Sequence, residues 1–207
     1  DALWLNPNKG QWDNRIQYEV KANAGAVFVE NDGWTYVFHD AGHDHHEVSS
    51  HEHNNGQIKY HAVCSKFLGV NENSIRQETM PSQHYNNYFL GSNPTGWKSN
   101  VFSFQQVVYQ NYYEGIDYIL STSNRQLEYQ FLLAPSANPD LIKRSFKGAD
   151  QVLIDKNGDL IVKTSLGEVR ESKPKAFELS ENGRKEIKVE FKLKKGILSF
   201  YFPDGYD

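Results

Sequence analysis

The sequence predicts an all-β fold, mainly antiparallel, either one β-sandwich or two packed β lobes. Three observations carry this expectation. Aromatic residues make up 14% of the chain, with 12 Tyr, 12 Phe and 4 Trp, and such side chains suit pleated, half-buried surfaces. Polar and apolar residues alternate with period two, as in Ile16-Gln17-Tyr18-Glu19-Val20-Lys21, the pattern of a strand wet on one face. Asp32-Gly33, Asn157-Gly158 and Asn182-Gly183 sit between β-prone runs, the chemistry of tight hairpins.

The elements follow in order. Residues 1–15, with Pro7 and Gly10, read as an extended leading segment. Arg15 to Ala22 reads as a strand, and Ala26–Val29 and Trp34–Phe38 as a hairpin around Glu30-Asn31-Asp32-Gly33. Residues 39–57 are polar, rich in His and without apolar period, and predict a long mobile loop. Ile58 to Leu68 reads as a strand, 70–84 as polar loop, Tyr85 to Gly91 as a short aromatic element and Ser92 to Gly96 as a turn. Phe102–Tyr109, Ile116–Ser121 and Gln126–Leu133 read as strands, and Pro135–Asp140 as a loop with room for one helical turn. Ile142–Phe146 follows, then a hairpin of Val152–Ile154 and Leu160–Val162 around Asp155-Lys156-Asn157-Gly158-Asp159. Ala176–Leu179, Glu186–Leu193 and Ile197–Phe202 are expected to close as a meander.

The chain's 207 residues suffice for one domain with its own core, or for two lobes, 1–92 and 93–207, meeting near the weak stretch 91–100. Its net charge of −4 argues against a general nucleic-acid binder. No apolar run reaches the roughly 20 residues that span a bilayer, so no membrane insertion is expected. The first residues carry no signal-peptide pattern, as a processed start would look, and the final turn, 202–207, predicts further domains beyond it. A single cysteine, Cys64, excludes an intrachain disulfide framework. It lies in an apparent strand, where a buried structural thiol is expected. Nucleophile-elbow and glycine-rich phosphate motifs are absent.

A succession of short motifs runs through nearly the whole chain. It comprises Asn8-Lys9-Gly10-Gln11-Trp12-Asp13, Tyr85-Asn86-Asn87-Tyr88-Phe89-Leu90-Gly91, Trp97-Lys98-Ser99-Asn100-Val101 and Tyr113-Glu114-Gly115-Ile116-Asp117. Leu127-Glu128-Tyr129-Gln130-Phe131, Ala137-Asn138-Pro139-Asp140, Gly148-Ala149-Asp150, Thr164-Ser165-Leu166-Gly167 and Lys173-Pro174 continue it. In this order the chain resembles the N-terminal domain of large secreted Bacteroidetes surface proteins. The resemblance implies export by type IX secretion, an extracellular or cell-surface place, and downstream β-propeller or Ig-like repeats as partners in the same polypeptide. It brings no catalytic residues. The His-rich 39–57 stretch departs from the family pattern.

That stretch is the sharpest local feature, holding or adjoining seven of the eight histidines. His43, His45, His46, His51 and His53, with Asp44, Glu47 and Glu52 among them, offer imidazole and carboxylate ligands for zinc. Their spacing matches no established zinc motif, and ordering such a loop costs about 1–2 kcal/mol per residue, so a solvated loop is the plainer reading. A collective charging below pH ~6.5 is a milder role. No other cofactor is implied.

Trp12, Trp34, Trp97, Tyr112 and Tyr113, with Trp4, are the candidate sugar-stacking rings, against the alternative that they pack the core. Adjacent Tyr112 and Tyr113 would face opposite sides of a strand. Asp155 to Asp159 resembles a calcium loop but lacks the remaining ligands of an EF-hand, so a plain turn is expected. A glycosidase pair would come from Glu114, Asp117, Glu128 and Asp150. Asp117, polar within Ile-Asp-Tyr-Ile, is expected to meet a structural donor. Arg184, Lys185, Lys188, Lys192, Lys194 and Lys195 read as the wet face of the last strands and as protection for an edge.

These readings make the chain a non-catalytic structural or adhesive module of an exported bacterial surface protein. The alternatives are a glycan-binding module, a metal-binding module and, last, a glycoside hydrolase. Glycans and surface proteins are the outside partners expected. Zinc calorimetry on chelator-stripped protein tests the metal reading against a variant with the five loop histidines changed to alanine. Stoichiometric submicromolar binding lost in the variant makes the tract a site; weak multi-site binding makes it solvated decoration.

Overall fold

The structure, a computed structural model, describes residues 2–22, 25–40, 58–123, 126–181 and 183–206. The strands of the first half are β1 (Asn6–Pro7), β2 (Ile16–Ala22), β3 (Gly25–Glu30), β4 (Gly33–His39), β5 (Tyr60–Phe67), β6 (Ile75–Tyr88) and β7 (Lys98–Tyr113). Those of the second are β8 (Ile116–Ser123), β9 (Gln126–Leu133), β10 (Lys143–Lys147), β11 (Gln151–Ile154), β12 (Leu160–Thr164) and β13 (Gly167–Glu171). The last four are β14 (Ala176–Ser180), β15 (Gly183–Ile187), β16 (Glu190–Lys194) and β17 (Ile197–Tyr201). Two single 3₁₀ turns, Pro94–Gly96 and Pro139–Leu141, are each opened by an asparagine, Asn93 or Asn138, whose side chain accepts a backbone N–H two residues on.

The fold is all-β and antiparallel, as the sequence predicts. Among the described residues four sheets form: β1-β2-β3-β4-β5-β10-β17-β16, β6-β7-β8-β9, β11-β12-β13 and β14-β15. The large sheet draws strands from both halves of the chain, and 91–100 connects the paired strands β6 and β7.

The hairpins sit where turn chemistry places them. Glu30 pairs with Gly33 around Asn31-Asp32, and Ile154 with Leu160 around the Asp155 turn. Gly33 is held at φ +147°, and a Cβ there would lie 2.2 Å from the Ser65 carbonyl oxygen of β5, so only glycine lets β4 and β5 approach.

Two expectations are corrected, and one strand had no signal to read. Residues 75–84, read as loop, belong to β6. This edge strand is largely open to solvent, so burial imposes no alternation on its sequence. Glu186–Leu193, read as one strand, is split. Glu186 and Ile187 pair back to β14, and Glu190 to Leu193 pair with β17, because period two reports which face is buried and not which partner is met. Finally β13, Gly-Glu-Val-Arg-Glu, carries too few apolar residues to be read as a strand.

Two clusters make the core. One lies between the large sheet (Tyr18, Val20, Val29, Trp34, Phe67) and the four-stranded sheet (Val107, Tyr109, Tyr112, Ile116, Tyr118, Leu120). The other lies between the large sheet (Val63, Phe191, Leu198) and Leu160 and Val162 of the three-stranded sheet. Val63 and Phe67, four residues apart on β5, point to the same face, so the four- and three-stranded sheets lie side by side on one face of the large one.

Arg144 of β10 stands at their meeting point with 2% of its surface exposed. Its Nη2 donates to Glu171 Oε2 of β13 at 2.6 Å. The Tyr129 hydroxyl of β9 donates to that same oxygen at 3.1 Å, and the Tyr36 hydroxyl of β4 to Oε1 at 3.2 Å. The guanidinium also lies 5.0 Å from the Trp34 ring centroid, 5.3 Å from that of Tyr129 and 5.0 Å from that of Phe146, close enough for cation–π attraction. Burial alone would lower the Arg144 pKa, but the Glu171 carboxylate, with Tyr129 and Tyr36, more than offsets it and holds the charge in place.

Replacing Glu171 by Gln leaves a buried guanidinium without its counter-charge, which costs roughly 3–5 kcal/mol. Equilibrium urea unfolding of Glu171→Gln should show that loss, and adding Arg144→Met should restore more than half of it.

Desolvation raises the phenol pKa of Tyr18, Tyr36, Tyr109, Tyr112, Tyr118 and Tyr129 well above its usual value, and pushes that of Tyr113 up to about 12. In the unfolded chain these groups ionise near pH ~10. Their contribution to stability is therefore whole below that pH and is lost as pH rises toward the folded values. In an alkaline titration, phenolate absorbance from these residues should appear together with loss of the far-ultraviolet circular dichroism, not before it.

Candidate functional site

Strand β7 meets β8 only from Gln106 onward, where Gln106 opposes Ser121. Its earlier residues pair with β6 on one side and with Leu5 on the other, through Leu5 N–H to Phe104 O at 2.9 Å and Phe104 N–H to Leu5 O at 3.0 Å. Residues 79–105 thus form a two-stranded arm running on from the four-stranded sheet. Asn6 pins its inner face: the Ser103 hydroxyl donates to Asn6 Oδ1 at 2.7 Å, and Asn86 Nδ2 reaches the same oxygen at 3.3 Å. Tyr88, on that side too, packs its ring against Trp12 at 5.4 Å.

The opposite face carries aromatic rings in the open. Tyr85 and Phe102, cross-strand partners, are 53% and 44% exposed with ring centroids 6.0 Å apart. Phe89 and Trp97, at the arm's tip, are 61% and 41% exposed with centroids 5.4 Å apart. Each pair meets at a steep angle, 69° and 73°, and forms a corner rather than a flat floor. Trp97 is held in place: its indole Nε1–H donates to Gly91 O at 3.1 Å, and its backbone N–H closes the preceding 3₁₀ turn on Pro94 O. Between Pro81 and Tyr85 the register shifts, pushing Gln83 and His84 outward beside the first corner, both exposed.

Of the sequence-predicted rings, Trp97 lies in this patch and Trp12 supports it from behind. Trp34, Tyr112 and Tyr113 do not: they are 1%, 0% and 3% exposed, so the stacking role considered for them is corrected to core packing. Tyr112 stacks on Tyr118 at 4.8 Å, and Trp34 packs on Phe67 and against Arg144. Tyr112 and Tyr113 are both enclosed because the register of β7 against β8 shifts between Tyr109 and Tyr113, breaking strict alternation. Sequence reasoning missed Tyr85, Phe89 and Phe102. The signal available was charge: across 79–113 the only residue with a formal charge is Lys98, in a chain that is 23% charged.

A second concavity, about 670 Å³, lies on the outward face of the large sheet and is lined by Phe28, Glu30, Asp32, Thr35, Cys64 and Lys66 among others. Lys66 Nζ bridges Glu30 Oε2 at 2.7 Å and Asp32 Oδ1 at 2.5 Å. Its ammonium pKa is raised: burial pulls it down, and the two carboxylates outweigh that pull. The acids are therefore spoken for internally. Cys64 is half-buried here rather than in the core, with the Thr35 hydroxyl donating to its Sγ at 3.5 Å. His61, three residues away on β5, faces the other side, where Nδ1 lies 2.8 Å from Ser165 Oγ and Nε2 2.7 Å from Gly148 O. The thiol and this imidazole are thus not paired for nucleophilic chemistry.

The Asp155 turn is closed by Arg170, whose Nη1 donates to Asp155 Oδ2 at 2.7 Å and Asp159 Oδ2 at 3.1 Å. The guanidinium, with backbone N–H donors from Asn157 and Asp159, lowers the Asp155 pKa and stands where a cation would. Asp117 Oδ1 accepts the Asn111 N–H at 2.7 Å, the structural donor expected. Asp117 and Glu128 share an outward face but lie opposite Leu132 and Ser121 respectively. Four strand positions, about 13 Å, separate them, beyond the ~6.5–9.5 Å of an inverting pair. Glu114 is in the β7–β8 turn and Asp150 precedes β11.

The lysine-rich run lies partly on β16, an edge of the large sheet, where Lys192 sits 5.3 Å from the Tyr201 ring centroid. His43, His45, His46, His51 and His53 lie outside the described residues. Among the described residues no group of three or more His, Cys, Asp or Glu side chains is placed to hold a metal. No helix among them is long and apolar enough to cross a membrane.

A family profile described as a domain of unknown function, DUF7948, matches residues 5–207, and the chain belongs to that family. Comparison with curated proteins and with solved structures returned no match.

Proposed function

We propose that this DUF7948 chain is a non-catalytic structural or adhesive module of an exported bacterial cell-surface protein, and that the arm formed by β6 and β7 is its contact surface. The observation that carries the reading is the exposure of Tyr85, Phe89, Leu90, Trp97 and Phe102 together on one arm. Soluble proteins seldom leave such a patch open unless it meets something. The arm is also braced for contact. Asn6, Ser103 and Asn86 tie its inner face to the sandwich, and Gly91 fixes the Trp97 indole. Export, an extracellular or cell-surface place, and downstream domains as partners in the same polypeptide follow from the sequence resemblance to secreted Bacteroidetes surface proteins. On this reading the sandwich is the rigid mount, and the arm meets a glycan or surface protein.

Two linked measurements test it in the native host. Antibody raised against the chain should label intact cells without permeabilisation. Cells carrying the combined Tyr85→Ala, Phe89→Ala, Trp97→Ala and Phe102→Ala variant should keep that labelling and lose most of their attachment to the host's usual surface. Labelling only after permeabilisation, or attachment unchanged in the variant, would overturn the reading.

A further inference from the structure

Resting on the arm as the contact surface, we infer that its partner is a neutral polysaccharide, held by the two aromatic corners and the amide side chains beside them. Three features select this chemistry. The first is charge. From Thr79 to Tyr113 no Asp or Glu occurs, and Lys98 is the one formal charge. Strand position turns Lys98 to the Tyr88 side of the arm, where its Cε lies 3.3 Å from the place a Cβ of Gly10 would occupy. A uronic or sulfated chain would find no lysine or arginine on the ring-bearing face. A cationic partner would find no carboxylate.

The second feature is the kind of apolar surface. A pyranose offers a patch of C–H bonds on one face and hydroxyls around its rim. An aromatic ring, with its negative face, meets the C–H patch, and a second ring at a steep angle walls the sugar in. Tyr85 with Phe102 and Phe89 with Trp97 are such corners. About 13 Å of extended chain separates Tyr85 from Phe89 at ~3.3 Å per residue, so the corners would grip different sugars along one chain. The Gly91 hydrogen bond already orders Trp97, which lowers the entropic cost of binding.

The third feature is the polar complement. Gln83, His84, Asn87, Asn93 and Asn100 are exposed around the corners. Asn87 and Asn93 already accept the backbone N–H groups of Asn100 and Thr95 at Oδ1 and offer their amide N–H donors, while Gln83, His84 and Asn100 can both donate and accept, as a rim of sugar hydroxyls requires. A site for a second copy of this chain would favour a continuous apolar patch, and here the rings are interrupted by these polar groups.

Affinity electrophoresis tests the inference on the full chain. Native gels are cast with neutral soluble polysaccharides (mixed-linkage β-glucan, xyloglucan, glucomannan, galactomannan, arabinoxylan and starch), with acidic alginate, and with polyethylene glycol as a viscosity control. Retardation is expected in at least one neutral gel, with Tyr85→Ala and Trp97→Ala each weakening it roughly five- to tenfold. Both positions are exposed, and unchanged circular dichroism and melting temperature verify folding. Retardation by alginate alone, none in any neutral gel, or equal retardation of folded variants overturns the inference. So does a concentration-dependent dimer, seen by sedimentation and lost in Trp97→Ala, which makes a second copy the occupant. If the four-residue variant loses cell attachment while no neutral polysaccharide retards the wild type, the carbohydrate inference alone falls and the adhesive reading stands.

Discussion

The ion pair of Arg144 and Glu171 is the constraint on which the architecture turns. Taking a guanidinium out of water costs several kcal/mol unless its charge is met. Here the counter-charge comes from β13, a hydroxyl that helps hold it from β9, and the flanking rings from β4, β9 and β10. No single sheet supplies a complete environment. The charge is compensated only when the three- and four-stranded sheets both sit on the large sheet in their native places. A polar group that would be ruinous alone thereby couples three sheets.

Around that junction the core is unusually rich in tyrosine. Phe67 lies within 5.4 to 6.1 Å, centroid to centroid, of Trp34, Tyr112, Tyr118, Tyr129 and Phe131. Several phenol hydroxyls find partners at the boundary between layers, whereas those of the buried Tyr109 and Tyr118 have none among the described residues. Tyr18 donates to Glu78 Oε1 at 2.6 Å and Tyr112 to Asn31 O at 2.9 Å. These bonds join the large sheet to the four-stranded one at points remote from Arg144, so the layers are fixed in register as well as held together by apolar burial.

Two exposed edges of the structure are handled differently. The β16 edge carries Lys192 and Lys194 among its five residues, which discourages another strand from adding there. The arm has no such protection. It is nearly uncharged, its register breaks twice along β6, and its rings face outward on a braced support. Protection at one edge and exposure at the other are the physical basis for treating the arm as the working surface.

Much of this was written locally in the sequence. Aromatic content, period-two runs such as Arg15–Ala22, and the Asp-Gly and Asn-Gly turns determined the antiparallel all-β class and most hairpins, because each depends on neighbours in the chain. The paired state of Asp117 and the closed Asp155 turn were legible for the same reason. Tertiary structure alone decided which rings are core and which are surface. Trp34, Tyr112 and Tyr113 are as aromatic as Tyr85, Phe89 and Trp97, and their fates differ only because the first three have a sheet packed over them. It also decided that Arg144 should be buried, since nothing near it in sequence marks the acid 27 positions away that makes its burial tolerable. Burial and ion pairing are set by which layers meet, and that information belongs to the whole chain at once.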